Sequence, residues 1–338
     1  MRRKYDAPFW DMHRVDLQLA LVDRAKDLGV ELRLGAKVKD IDFKAPFLKL
    51  ESGEQLHADL LVGADGLWSK CREQYLMSKN QQDSPLPTGD LAYRIVLQLS
   101  EITDPELRNW VANPSCQFWI GPGSHAVAYS LRGGQSFNIV LLVPDNLPAH
   151  VARQRGSIAE MRELFANWDP VLNRFLDQVK SVDKWKLLHR PQLESWTNEN
   201  ANFVFVGDSC HPMLPYLAQG ANSSMEDGAV LGNVLGALET REQLPAALKL
   251  YERLRKERGE AIVRETFAQR RDFHLQDGPE QRARDEVMLA QLRGEVVEGR
   301  FPSRWQCPVV QPFLYGYDAQ EETAVALREM PLGGVSGG

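Results

Sequence analysis

The stretch "VGDSCHPMLPYLAQGANSSMEDGAVLG", Val206 to Gly232, follows an apolar run and turns through Gly-Asp, two prolines and Gly-Ala into a helix-forming segment. Asp208 falls at the carboxyl end of "NFVFV", a strand too apolar to be exposed, where α/β sheets place ligand-facing groups. A carboxylate there accepts hydrogen bonds from sugar or polyol hydroxyls. Pro212 and Pro215 stiffen the loop and remove donors, and "MLPYL" offers a flat apolar wall. Gly220 and Ala221 admit close backbone approach, and Ser223 with Glu226 spells an S-x-x-E capping box for a helix expected over about 223–238. A helix start aimed at a bound group supplies N–H donors and partial positive charge. The combination suits a planar, electron-rich ring that becomes anionic on reduction; the plainer reading is a strand, turn and helix without a ligand. Gly228, Gly232 and Gly236 recur at four-residue spacing, each costing about 1 kcal/mol against alanine, so another backbone is expected close by.

Working outward, "HRVDLQLALVDRAKDLGV" (13–30) repeats Leu17, Leu21, Ala25 and Leu28 at helical spacing and stops at Gly29. "ELRLGAKVKDIDF" alternates as a strand, and "PFLKLESGEQLHADLLVGADG" reads as a hairpin feeding the strand "ADLLVGA". Polar, proline-containing "SKNQQDSPLPTGD" (78–90) marks a boundary. After it "LAYRIVLQL", "CQFWI", "HAVAYSL" and "FNIVLLV", separated by short turns, predict an antiparallel sheet. Helical stretches over 157–180 and long charged helices to about 299 follow, and the turn-rich last forty residues are expected to form a loose tail.

Bulk properties narrow the function. With 46 acidic against 40 basic residues in 338, net charge −6 and no long Lys/Arg run, nucleic acid is excluded as a partner. Cys71, Cys116, Cys210 and Cys307 show no zinc-type spacing, so no metal site is expected. No signal-peptide core or 18-residue apolar run is present, so a cytoplasmic protein without a membrane span is expected.

The loop resembles the second flavin motif of the FAD-dependent aromatic-ring hydroxylases, specifically the salicylate-hydroxylase-like monooxygenases of fungal natural-product pathways. The resemblance implies that Asp208 contacts the ribityl chain, that Pro215 lines the isoalloxazine, and that the Gly220 and Ala221 amides lie near its pyrimidine end. "ADLLVGADGLWSKCRE" resembles the family's Asp-Gly motif, associated with FAD pyrophosphate and NAD(P)H, and implicates Asp65 and Gly66. Lys70 stands where family members more often carry Arg, which loses a bidentate fork and keeps the charge. "HRVDLQLAL" resembles the segment whose Arg, here Arg14, reaches the FAD phosphates; taken alone it is an ordinary helix start. With "TGDLAYRIVL", "WIGPGSHAVAYSLRGG" and "LYGYDA", the resemblance spans 13–319.

The middle sheet agrees. In "LAYRIVLQL" the residues Leu91, Tyr93, Ile95, Leu97 and Leu99 make one apolar face, so Arg94 points to the other. An Arg facing a largely apolar cavity stabilises an anion such as a phenolate. Tyr129, on a neighbouring run, is a donor for a substrate oxygen. The resemblance implies substrate binding and catalysis for Arg94 and Tyr129; a surface ion pair and a core tyrosine are the alternatives, and His125 is expected to be structural. A serine hydrolase built on Ser209 fails, because G-x-S-x-G requires glycine where His211 stands and Pro212 blocks the immediate helix.

One family feature is missing. The G-x-G-x-x-G turn that cradles the ADP half of FAD has no counterpart; "GVELRLG", "GPGS" and "GGVSGG" fail its spacing or context. An incomplete gene model, a natural short version without redox chemistry, and completion by another chain all account for this.

The expected architecture is α/β with α+β character: an incomplete Rossmann-like FAD-binding domain (1–80 and 191–240), an inserted antiparallel-sheet substrate domain (81–190), C-terminal helices (241–300) and a tail (301–338). The expected activity is an FAD-dependent monooxygenase using NAD(P)H and O2 to hydroxylate or epoxidise an electron-rich aromatic or enolic molecule, polyketide- or alkaloid-like, in secondary-metabolite biosynthesis. An oligomer is compatible with the sequence. The alternative is a flavin-free homologue acting as an isomerase, cyclase or binding protein.

Overall fold

A computed structural model describes residues 1–332. In chain order its strands are β1 (Val38–Asp42), β2 (Phe47–Leu50), β3 (Gln55–His57), β4 (Leu61–Gly63), β5 (Leu86–Gln98), β6 (Cys116–Gly121), β7 (Ser124–Leu131), β8 (Ser136–Pro144), β9 (Arg153–Arg155), β10 (Asp183–His189) and β11 (Phe203–Phe205). Its helices are α1 (Arg2–Tyr5), α2 (Arg14–Asp27), α3 (Lys70–Ser78), α4 (Pro105–Ala112), α5 (Ile158–Leu164), α6 (Pro170–Asp177), α7 (Gly220–Gly236), α8 (Leu244–Phe273), α9 (Pro279–Leu292), α10 (Val310–Tyr315) and α11 (Ala319–Glu329). Among the described residues no helix is long and apolar enough to cross a membrane.

The chain divides into two compact units. The first comprises Met1–Arg33, Pro87–Leu187 and Arg271–Glu286 and is built on a six-stranded sheet of order β6-β7-β8-β5-β10-β9. The four predicted runs form β5 to β8, with β5 antiparallel to β8, β8 to β7 and β7 to β6. Period-two alternation buries Leu91, Tyr93, Ile95 and Leu97 beside Phe137, Ile139 and Leu141, in one core with Met161 of α5 and Leu172, Phe175 and Leu176 of α6. Leu99 has already left the strand and is only half-buried. Helices α4 and α6 both start at Asp-Pro: the Asp104 and Asp169 side chains accept backbone N–H bonds, and proline fills a position whose N–H has no intrahelical partner. Helix α2 forms where its periodicity predicts, Asp16 pairs with Arg132 at 2.7 Å, and residues 1–33 group with the sheet rather than with 34–80 as expected from the sequence.

The second unit comprises Leu34–Leu86, Leu188–Arg270 and the chain from Val287 onward. Strands β1, β2 and β3 form an antiparallel sheet, and β4 pairs in parallel with β11. The strand expected from residue 31 begins only at Val38, after a turn at Gly35 with φ +73°. Phe203, Val204 and Phe205 are buried with Tyr75, Trp196, Val230, Val234 and Tyr251. Gly63 is required where it stands, since a Cβ would lie 2.9 Å from the Phe203 ring.

Two expectations are corrected here. Residues 301–332 are not a loose tail: Phe301, Cys307, Val310 and Leu314 pack with Leu217 and Ile262, and Ala326 of α11 joins the core of α7. The turn-rich composition hid apolar residues that are buried through contacts distant in sequence. "GGVSGG" (333–338) lies outside the described residues. Among the described residues nothing outside the helix packs on the glycine stripe of α7: no such atom lies within 4 Å of a Cβ built at Gly228, Gly232 or Gly236.

A helical glycine that does admit close packing is Gly259 of α8, where a Cβ would stand 3.1 Å from the Trp196 ring and 3.2 Å from His211. Both rings are buried and cannot yield cheaply. Gly259→Ala is therefore expected to lower the melting temperature, overpacking of about 1–3 kcal/mol exceeding a helix gain of about 1 kcal/mol. Exposed Gly232→Ala is expected to raise it by up to about 1 kcal/mol. Thermal denaturation of both variants checks the pair, and equal melting temperatures would contradict it.

Candidate functional site

In the second unit, buried β11 ends at Phe205 and after Val206 the chain turns through Gly207 with φ +62°, a conformation suited to glycine and crowded by Ser224 Oγ, 2.7 Å from a built Cβ. From there the loop divides into two sides. Ser209, Cys210, His211, Pro212, Leu214, Tyr216, Leu217 and Gln219 are buried, whereas Asp208, Pro215, Ala218 and Ala221 are exposed. The Asp208 carboxylate lies beside Gly220, 3.9 Å from where a Cβ would be. Helix α7 starts at Gly220, three residues earlier than expected, with no side-chain cap and no acidic residue in its first turn. Its first N–H groups are thus not engaged by a capping side chain and carry partial positive charge. The expected capping box is absent because Ser223 is buried inside the helix and its Oγ accepts from Arg255 at 3.3 Å. Asp208, Pro215, Gly220 and Ala221 lie on this one loop and helix start.

The buried side is fastened to the other motif. Ser209 Oγ lies 2.7 Å from both Gly63 O and Val206 O, its one proton available to either carbonyl, which joins the ends of β4 and β11 and leaves no exposed hydroxyl for a nucleophile. Arg72 of α3, buried, donates to Pro191 O at 2.6 Å and to Ser209 O at 3.3 Å, and its Nε reaches Asp83 at 2.7 Å. Burial lowers the Arg72 pKa, which the Asp83 charge partly offsets. Asp65 is exposed but occupied: it accepts from Ser69 Oγ at 2.5 Å and Cys71 N at 3.0 Å, while Ser69 caps α3. Burial, then the Asp65 charge, pushes the Cys71 thiol up to about 12. Gly66 turns the chain with φ +75° and no described atom within 4 Å of a built Cβ.

Behind the loop, Cys210, His211 and Asp227 are all buried with ligand-type atoms within 4.8 Å of one another. A cation there would have to displace Arg255, whose Nε holds Asp227 Oδ1 at 2.7 Å. Burial also raises the Cys210 thiol well above its usual value. The cluster is a hydrogen-bonded knot.

In the first unit, Arg94 stands on the sheet face opposite the core, 5.5 Å from the Trp185 ring centroid, and keeps solvent access. Enough of the unit surrounds it that desolvation, followed by the Arg14 charge, lowers its pKa. Tyr129 is half-buried; desolvation and then Asp11 raise its pKa, while Arg94 and Arg14 oppose this. Arg14 thus belongs electrostatically with Arg94 and Tyr129. His125 is buried, with Nδ1 2.7 Å from His274 Nε2.

The family model described as FAD binding domain matches residues 7–266. The FAD-dependent monooxygenase OpS4 of Beauveria bassiana is 51% identical over 321 residues, covering 94% of this chain and 74% of that protein. The chain belongs to this family of FAD-binding monooxygenases. FAD-dependent monooxygenase atnJ of an Arthrinium species is 38% identical, covering 81% of this chain and 65% of that protein, so the chain spans somewhat less than two thirds of that relative. A solved salicylate hydroxylase in complex with substrate superposes with a TM-score of 0.74 at 22% identity, covering 93% of this chain and 75% of that one, and shows the same fold. The expected family, fold and cofactor agree with these likenesses, and the flavin-free alternative is not favoured by them. The donor set also fits FAD: an exposed carboxylate for hydroxyls, an exposed proline, and an uncapped helix start opened by Gly-Ala. Arg72, His211, Asp227 and Arg255 were not singled out from the sequence, because each acts through a partner far along the chain.

Proposed function

We propose that this FAD-binding monooxygenase hydroxylates or epoxidises an electron-rich aromatic or enolic small molecule of polyketide- or alkaloid-like character, using NAD(P)H and O2. The observation that carries the reading is the loop on which Asp208 faces Gly220 at the uncapped start of α7. Asp208 accepts hydrogen bonds from ribityl hydroxyls, Pro215 bounds the ring, and the Gly220 and Ala221 amides face its pyrimidine end. Asp65 and Gly66 shape the second cofactor segment, and Arg14 supplies positive charge for phosphate. Held by these residues, FAD would supply hydride acceptance from NAD(P)H and the oxygen chemistry for the substrate. Arg94 holds the substrate as an anion and Tyr129 donates to its oxygen. All four cysteines are unpaired, which supports a reducing, cytoplasmic setting.

Purified chain is expected to carry flavin absorbance and to gain thermal stability with added FAD, about 2.7 kcal/mol at a hundredfold excess over Kd. Asp208→Ala is expected to weaken FAD at least tenfold, the scale of hydrogen bonds to a charged group, roughly 1.5–3 kcal/mol. A colourless protein whose melting temperature ignores FAD would overturn the flavin reading for this chain.

A further inference from the structure

We propose that Asp227 is a positioning residue that sets the conformation of the flavin loop, with His211 and Arg255 as its two arms. One carboxylate oxygen, Oδ2, accepts from the Gly207 backbone N–H at 2.8 Å and from His211 Nε2 at 2.5 Å. The other, Oδ1, accepts from Arg255 Nε at 2.7 Å, and the same guanidinium donates to Ser223 O at 3.2 Å and Ser223 Oγ at 3.3 Å. Asp227 therefore clamps the residue immediately before Asp208, and Arg255 clamps the first turn of α7, which starts at Gly220. The two halves of the flavin loop are registered through one buried carboxylate.

The electrostatics keep that carboxylate ionised. Asp227 and Arg255 are fully buried and His211 nearly so. Burial acts to raise the Asp227 pKa, but the bond and charge of His211 and the charge of Arg255 prevail and hold it below the usual carboxylate range. Glu226, next in the chain, pairs with Arg255 at 2.8 Å and with Arg258 at 2.8 Å, so two arginines face two carboxylates. Arg258 also donates to Leu314 O at 3.2 Å and lies 4.0 Å from the Tyr317 ring centroid, so the "LYGYDA" segment anchors the relay. His211 is held in place from behind by Trp196, ring centroids 5.1 Å apart. Asp227, His211 and Arg255 are buried, so they bear on the loop through Gly207 and the start of α7.

This inference rests on the flavin reading, so its test has one arm without flavin. In the first arm, hydrogen exchange of the flavin-free chain is followed residue by residue. Asp227→Asn is expected to speed exchange of the Gly207 amide about tenfold or more, while amides of the first unit's sheet keep their protection. In the second arm, FAD dissociation constants are measured for Asp227→Asn, Asp208→Ala and the double variant. Asp227→Asn is expected to weaken FAD roughly tenfold in the parent and under about threefold once Asp208 is gone, because its action passes through that residue. His211→Gln, which keeps a donor, is expected to retain most FAD affinity that His211→Leu loses, and both serve if Asp227→Asn fails to fold. Unchanged exchange at Gly207, or equal FAD losses with and without Asp208, would overturn the relay. A parent chain that binds no FAD would overturn the flavin reading, and the exchange arm would still decide the relay.

Discussion

Arg72→Ala is expected to destabilise the chain by about 3–5 kcal/mol, the scale on which removing one partner of a buried ion pair operates. Arg72 is 1% exposed and its bonds are spread over three segments: Asp83 after α3, Pro191 at the entry to the second half of the unit, and Ser209 in the flavin loop. Alanine would leave the Pro191 and Ser209 carbonyls without this donor and Asp83 with one cation fewer. Arg190 Nη1, 3.0 Å from Asp83, would still face that carboxylate and limit the loss. Against a total stability of roughly 5–15 kcal/mol, the loss is a large fraction. Arg72→Lys keeps the charge but cannot reach three partners with a fixed planar fork, so it should fall between alanine and parent. Urea denaturation of the three proteins measures this, and an Arg72→Ala variant within 1 kcal/mol of the parent would show that the carbonyl anchors contribute little.

What the sequence revealed follows from the range of each interaction. The sheet of β5 to β8 was legible because strand alternation is local: Leu91, Tyr93, Ile95 and Leu97 announce a face whatever packs on it, and Arg94 on the opposite face follows. The exposed half of the 206–220 loop was legible because the turn residues Gly207, Pro215 and Gly220 punctuate it. Arg72 was not, since within "SKCREQYLMS" it looks like a solvated helix residue while Ser209 lies 137 positions away. The capping box failed for a related reason: Ser223 and Glu226 obey a local rule, but Arg255 engages Ser223 and Arg258 engages Glu226 at 2.8 Å, and the helix starts at Gly220 instead. In 301–332, irregular spacing concealed Phe301, Cys307, Val310 and Leu314, whose burial depends on partners from α8 and the flavin loop.

Arg94→Ala is expected to leave FAD affinity unchanged and to lower turnover of an anionic aromatic substrate by about 10²–10³, the range for losing one preorganised donor at a developing oxyanion. The guanidinium projects from the non-core face of β5 beside Trp185, where no core residue depends on it, so the fold should survive. Desolvation lowers its pKa, yet an arginine remains charged at neutral pH, and a partly desolvated cation attracts a phenolate more strongly than one in bulk water. Arg14 keeps part of the positive field after the substitution, which is why the expected loss stops short of the full electrostatic contribution. Arg94→Lys retains the charge without the fork and should recover part of the rate. NAD(P)H oxidation stimulated by an electron-rich aromatic acid, with the FAD dissociation constant measured on the same preparations, separates the outcomes. Undiminished oxidation in Arg94→Ala would remove Arg94 from the chemistry, whereas loss of FAD binding would place it with the cofactor instead.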